Sequence, residues 1–346
     1  MADREPRLAD VAARAGVSLA TASRVLGGSR DRVSPALAER VITAARELNY
    51  VPNAQAKALA RASSTTIGLV VHDVSDPYFS EIARGVLRTA SDEGHLVLIC
   101  NAHRDPEREL QYLVELRSQR VHAMLMAGSG YTQQAAEARL ARELTAFRAA
   151  GGAVALIGRH DAALDTVQPD NMGGAAAVGR WLAANGHRDI AVVAGPPALT
   201  TIEDRLEGLR TGLDAYGLSL RHDAVRHVDF TRDGGYRATC DLLDSRRSLT
   251  AIFALNDTMA IGALTACRDR GVPVPDEISI VGFDDIPVAV DVTPSLTTVR
   301  IPMEQMGVDV VRLALTSHRE GSQRVITAPS QLVLRDSAGP APSRHR

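Results

Sequence analysis

Cysteine, lysine, long apolar runs and catalytic signatures are what this sequence has least of. Its three cysteines, Cys100, Cys240 and Cys267, are far apart and form no CxxC pair. That spacing excludes a disulfide framework and a structural zinc site, and it fits reduced thiols in a cytoplasmic protein. Cys100 and His103 have a conceivable metal-ligand spacing, but no second ligand pair accompanies them, so no metal is expected. No apolar run approaches the roughly 20 residues that span a bilayer. The opening MADREPRLAD is charged and has no apolar signal core, so export is not expected. Walker A, HExxH and GxSxG patterns are absent, and Gly128-Ser129-Gly130 is only a fragment of a dinucleotide fingerprint. Asp284 and Asp285 are adjacent and point apart unless a turn aligns them. No catalytic constellation emerges, and neither enzymatic activity nor a cofactor is expected.

What is present is unevenly charged. The formal net charge is −2, yet residues 1–62 carry 10 basic against 6 acidic residues and the remainder 29 against 35. A basic head on a mildly acidic body suits a nucleic-acid-binding module joined to something that does not bind DNA. At 346 residues the chain is too long for one small core, and two or three domains are the default.

The head reads as three short helices. Leu8, Val11, Ala12 and Ala15 form one apolar stripe, Gly16 stops it, and Ser18 is placed to cap a second helix. In that helix Ala22, Val25 and Leu26 share a packing face, while Ala20, Ser23, Arg24 and Gly27 share the other. Ser34 and Pro35 open a third helix with Leu37, Val41, Ala44 and Leu48 as its stripe. Three helices with a glycine turn between the first two fit a helix-turn-helix, whose second helix enters the major groove. Small side chains on that helix let its backbone approach the bases, and Arg24 can fork onto guanine or grip a phosphate. Periodicity alone serves a generic three-helix bundle equally well.

The ordered motifs D-V-A-x-x-A-G-V-S, T-x-S-R-V-L, L-N-Y-x-P-N and L-A decide between these. They resemble the DNA-binding head of the lactose-repressor/galactose-repressor (LacI/GalR) family of bacterial regulators. The resemblance implies that Leu19 and Ala20 read bases and that Thr21, Ser23 and Arg24 grip phosphates or base edges. Where Gly27 stands the family often has Asn, so a polar DNA contact is missing here. After Pro52, residues 53–61 (NAQAKALAR) can form a helix capped by Asn53, too short to be stable unless held by a partner. By the resemblance this hinge helix pairs across a dimer in the minor groove, with Leu59 as a wedge that kinks the duplex. Lys57, the only lysine in the chain, and Arg61 then face phosphates.

From residue 66 onward apolar runs alternate with helical stretches: TIGLVV, HLVLIC, HAMLMA, AVALIG, IAVVAG, AVRHV, TAIFAL, ISIVGF and TTVRI. Such repetition argues for parallel sheets covered by helices, with ligands bound beyond the carboxyl ends of the strands. The polar residues found there are Asp73, Asp76-Pro77-Tyr78-Phe79, Asn101, Arg159, Asp229-Phe230, Asn256-Asp257 and Asp284-Asp285, with Arg205 opening a helix. D-P-Y-F, D-R-x-x-G, F-A-x-N-D and I-S-I-V-G-F-D-D-I are similar to the family's periplasmic-binding-protein-like effector domain. The likeness implies that Asp76, Arg205, Asn256 and Asp284 contact an effector, with Phe79 and Arg159 beside them and Phe230 as aromatic platform. Gly158 and Ile301 stand where relatives often carry Asp and Gln.

The sequence therefore predicts an α/β protein: a helix-turn-helix head (1–52), a hinge helix and linker (53–65), a two-lobed effector and dimerisation domain (66–336), and a disordered tail (337–346). The family implies a homodimeric, cytoplasmic regulator of a near-palindromic operator, with a sugar as inducer. A nucleoside or sugar phosphate acting as corepressor is the alternative, and a solute-binding protein without a DNA role is the competing class.

Overall fold

The computed structural model describes residues 6–27, 33–51, 64–246, 248–316 and 323–343. The hinge candidates Asn53, Lys57, Leu59 and Arg61 lie outside the described residues. The chain divides into two compact units, 1–65 and 66–346.

In the first unit, α1 (Leu8–Ala15) opens where the Arg7 N–H donates to Asp10 Oδ2 at 2.7 Å, and it ends at Gly16, whose φ of 63° is left-handed. A residue with a Cβ is strained there, which is why glycine makes this stop. α2 (Leu19–Leu26) starts at Ser18, whose Oγ accepts the Thr21 N–H at 3.1 Å. α3 (Pro35–Glu47) carries Pro35 in its first turn; Ser34 holds the cap position without a side-chain bond. The core is Val11, Val25 and Val41 with Ala12, Ala15, Ala22, Ala38, Ala44 and Ala45. Alanines let three helices approach closely but bury little area each, so caps and clamps matter more. Arg40 supplies one clamp, donating to Ala15 O at 2.6 Å, and Arg14 meets Glu47 at 2.7 Å.

The second unit runs β1 (Thr66–Val71), α4 (Pro77–Asp92), β2 (Leu96–Asn101), α5 (Pro106–Ser118), β3 (Ala123–Ala127), α6 (Gln134–Ala149), β4 (Ala153–Ile157) and β5 (Thr166–Pro169). It continues with α7 (Asn171–Ala184), β6 (Ile190–Ala194), α8 (Thr200–Asp214), β7 (Val225–His227), α9 (Arg232–Ser245), β8 (Ala251–Ala254), α10 (Asp257–Asp269) and β9 (Ser279–Val281). β10 (Thr298–Arg300), α11 (Met303–Leu315), β11 (Val325–Ala328) and β12 (Gln331–Val333) complete it. Two parallel sheets result, β11-β5-β4-β3-β1-β2 and β7-β6-β8-β9, with β10 and β12 as an antiparallel pair. β3 and β6 are buried along their whole length, the pattern of a strand covered on both faces.

The chain passes between lobes three times: from β5 to α7, from β10 to α11, and from β11 to β12. α11 returns to the first lobe by packing on α4. Gly85 and Gly307 allow that approach, since a Cβ at Gly85 would lie 2.0 Å from Glu304 O.

All nine strand candidates read from the sequence are strands. β5 (TVQP), β11 (VITA) and β12 (QLV) were not among them. One expectation fails: residues 337–343 are not disordered. Ser337 Oγ donates to Ile280 O at 2.7 Å and Ser337 O accepts the Ile280 N–H at 2.7 Å; the Gly339 N–H reaches Ser279 Oγ at 3.0 Å. The tail runs beside edge strand β9 and takes up hydrogen bonds that the edge leaves open, a role for which proline-rich composition gives no sign.

Candidate nucleic-acid interface and effector cleft

The outer face of α2 presents Leu19, Ala20, Ser23 and Arg24 to solvent, with Thr21 half-buried. Leu19 is 54% exposed, so it is not part of the helix packing and is free to meet another surface. Thr21 Oγ1 lies 2.9 Å from Ser18 Oγ, tying this candidate to the cap. Arg24 has no ion-pair partner among the described residues. A face of small side chains with one extended cation is what close approach of a helix to a groove requires. Gly27 ends α2 in ordinary helical conformation (φ −79°) and adds no polar group.

The second unit has a cleft with about 530 Å³ of empty space, its open mouth included. All seven effector candidates line it: Asp76, Phe79, Arg159, Arg205, Phe230, Asn256 and Asp284. Their positions follow from parallel topology. Asp76 caps α4 after β1, and Phe79 sits in that helix's first turn. Arg159 follows β4, Phe230 follows β7, Asn256 caps α10 after β8, and Asp284 follows β9. Strand ends of the two lobes thus meet across one crevice.

Buried charge dominates its chemistry. Arg205, buried in α8, donates to Asp284 Oδ1 and Asn171 Oδ1, each at 2.9 Å, and to Leu255 O. Its guanidinium carbon lies 3.7 Å from the Phe283 ring centroid. Burial pushes the Asp284 carboxyl up to about 7 even though Arg205 opposes the shift; Asp76 adds repulsion. Asp284 also holds a left-handed backbone (φ 114°) and Asp285 another (φ 57°), strain of the kind that gathers at functional sites. Burial likewise raises Asp76, against the pull of Arg104. Asn256 Oδ1 accepts the Met259 N–H at 2.8 Å, so its amide NH2 is the group it can offer a ligand. Arg159 is engaged by Glu203 at 2.6 Å and Asp204 at 2.9 Å.

Several strand-end residues singled out earlier serve elsewhere. Asp257 is fully buried and accepts from Thr298 Oγ1 and the Ile286 N–H. Asp285 pairs with Arg300 and Arg335, which separates it from Asp284. Gly158 has φ 113°, and a Cβ there would lie 2.1 Å from Gly128 O. The Asp that the resemblance implies at this position therefore does not fit this backbone. Ile301 is buried in the core. Sequence reasoning missed Arg104 and Asn171 and left Tyr78 out of the effector set, though all three line the cleft. Tyr78 belongs to the quoted D-P-Y-F run, and Arg104 lies three residues beyond Asn101, where the strand-end rule stopped.

A helix-turn-helix joined to a two-lobed domain with a polar, aromatic-lined cleft defines a class: DNA-binding regulators that answer to a small molecule. Residues 7–53 match the profile of bacterial regulatory proteins of the lacI family, and residues 180–338 that of a periplasmic binding protein-like domain. The HTH-type transcriptional regulator GalS of Salmonella typhimurium is 38% identical, over 88% of this chain and 88% of its own length. A solved complex of the transcriptional regulator CelR with cellobiose is 31% identical, covers 96% of this chain and 99% of its own, and has a TM-score of 0.71. The Lac repressor dimer bound to operator and the anti-inducer ONPF is 27% identical with a TM-score of 0.81, covering 96% of this chain and 99% of that one. The chain belongs to the LacI family and is a DNA-binding transcriptional regulator, as the sequence motifs implied. Among the described residues no helix is long and apolar enough to cross a membrane.

Proposed function

We propose that this protein is a homodimeric cytoplasmic repressor of carbohydrate-utilisation genes, released from a near-palindromic operator by a neutral sugar. The head reads DNA through Leu19, Ala20, Thr21, Ser23 and Arg24. The hinge adds Asn53, Lys57, Leu59 and Arg61, with Leu59 as the minor-groove wedge. Asp76, Phe79, Arg159, Arg205, Phe230, Asn256 and Asp284 form the effector site, and no catalytic role is assigned to any of them.

One observation carries the choice of ligand: the cleft's arginines are already engaged by carboxylates. Arg205 is held by Asp284, and Arg159 by Glu203 and Asp204. A sugar phosphate would need a cation that these pairs withhold. Carboxylate acceptors, an amide and an aromatic ring instead suit hydroxyls around an apolar ring face. Self-association is supported by the edge strand β2, where Leu96 (72% exposed), Leu98 and Ile99 are exposed, as is Leu87 of α4. An exposed apolar edge of this kind calls for a covering partner. A ligand that prefers one lobe arrangement shifts the population toward it, and a coupling of about 1–3 kcal/mol gives a useful response.

The test begins with selection of duplexes from a randomised pool at low salt, followed by operator release in a panel of neutral sugars. The Leu59→Ala variant should lose at least about tenfold in operator affinity, given the few kcal/mol at stake in unstacking a base step, while sugar affinity holds. Failure to enrich any near-palindromic duplex would overturn the reading.

A further inference from the structure

Arg104 sits where a ring-shaped ligand would stack. It stands in the turn between β2 and α5, where His103 and Arg104 both hold left-handed backbone (φ 55° and 59°), a conformation costly for side-chain-bearing residues. The turn is tied down: the Ala102 N–H donates to Val71 O at 2.9 Å and the Asp105 N–H to Ala102 O at 3.1 Å. Aimed from there, the guanidinium reaches across the cleft. Its carbon lies 5.0 Å from the ring centroid of Phe230 in the second lobe and 5.8 Å from that of Phe79 in the first. Both fall inside the roughly 6 Å reach of cation–π attraction. Its nitrogens donate to Asp76 at 2.9 Å and Asp73 at 3.3 Å. Asp73 is fixed in turn by the Ser75 N–H at 3.0 Å and the Ser75 hydroxyl at 2.7 Å.

We propose that Arg104 is a built-in occupant of the Phe230 platform, which an effector stacking on that ring must displace. A guanidinium is flat, with stackable faces and a rim of donors, and so presents the pattern of a planar, polar-edged ligand. Tethered to the turn, it competes at high effective concentration. A ligand's apparent affinity falls by the fraction of time the platform is taken. Displacement also frees Asp76 to accept from the ligand and removes a tie between the lobes. Arg104 is thus a specificity-setting residue: it favours ligands that replace both the stacking and the bonds to Asp76. That second half rests on the sugar reading; the occupancy itself does not.

The decisive experiment is chemical replacement in the full chain. In Arg104→Ala, ethylguanidinium should bind saturably and raise the melting temperature of the body by about 2 °C at tenfold saturation. Wild type, Arg104→Met and the double variant Arg104→Ala/Phe230→Leu should not respond, and ethylammonium should be inert. Equal responses in wild type and Arg104→Ala, or a response that survives loss of Phe230, would overturn the occupancy. In the second arm, any of galactose, ribose or cellobiose that binds wild type should bind Arg104→Ala about tenfold tighter by calorimetry. Equal or weaker binding there refutes exclusion. A panel without any binder counts against the sugar reading, and the ethylguanidinium arm then decides occupancy alone.

Discussion

The proposed reading face of α2 and the interlobe cleft solve opposite problems with similar residues. On α2 the candidates come from one eight-residue helix, and Arg24 stands exposed without an ion-pair partner among the described residues. In the cleft the candidates come from the ends of strands in two sheets, and Arg205, Asp284 and Asn256 are all buried. A surface that must meet a polyanion keeps its cation hydrated until contact. A cavity that must discriminate small molecules fixes its polar groups beforehand, and at low dielectric each charge then needs a partner. Substitutions on α2 should therefore alter binding with little change in folding. Those in the cleft should alter both.

The largest effect belongs to Asp284→Ala. It leaves the Arg205 guanidinium buried with only Asn171 and Leu255 as partners, and breaking a buried pair in this way costs about 3–5 kcal/mol. Urea unfolding of the body at pH 8, above the raised Asp284 pKa of about 7, should show that loss, and the ligand response should vanish while operator binding persists. A stability within experimental error of wild type would mean that the cleft's ion pair is as dispensable as a surface one, and the contrast between the two regions would fail.

Arg24→Ala is the matching probe on the head. It should cost about 1–3 kcal/mol of specific operator affinity, with the melting temperature of the head unchanged. Salt titration sharpens the assignment, because loss of one phosphate contact lowers the salt slope by about 0.9, whereas loss of a base contact relaxes sequence preference instead. A destabilised head in this variant would show that Arg24 is structural.

The two regions also differed in how much of them could be read in advance. Helix limits on the head are local matters: Gly16 and Ser18 announce a stop and a cap, and both act as such. The core stripe of α3 was nearly right, but Ala38 and Ala45 are the buried partners beside Val41 and Ala44, with Leu37 and Leu48 only half-buried. The cleft was legible where a polar residue directly follows a recognisable strand. Asn171 escaped because β5, with the sequence TVQP, is too short and too polar to announce itself. Arg104 escaped because a left-handed turn aims it from three residues away. The pairing of 337–339 with Ser279 and Ile280 was invisible because an open sheet edge is a property of topology, not of the pairing segment.

A smaller effect follows from protonation. The folded-state pKa of Asp284 is raised above its ordinary value of 3.8 to about 7. Its contribution to stability is therefore complete below about pH 4 and declines as pH rises through about 7. An effector hydroxyl that donates to the ionised carboxylate favours the deprotonated form, so binding should release a proton. Sugar affinity should then rise with pH between 6 and 8, by at most about tenfold per unit below the pKa. Calorimetry in buffers of different ionisation enthalpy reads the proton directly. An affinity flat across that range, or one unaffected by Asp284→Asn, would remove Asp284 from the contact set.

The smallest effect tests whether the head's stability is as local as its geometry. Ser18 Oγ accepts the Thr21 N–H at 3.1 Å and lies 2.9 Å from Thr21 Oγ1, so Ser18→Ala removes a cap and releases the rotamer of a proposed DNA contact. Cap loss costs about 1 kcal/mol, and in a unit of some 65 residues that lowers the melting temperature by about 4–8 °C. Ser18→Gly should cost only a few tenths of a kcal/mol, because glycine tolerates the cap conformation. Followed by circular dichroism in the full chain, the loss should appear in the transition of residues 1–65 and leave that of residues 66–346 in place. A shift shared by both transitions would show that the head is not stabilised locally, and the division between a self-contained reader and a collectively built cleft would have to be redrawn.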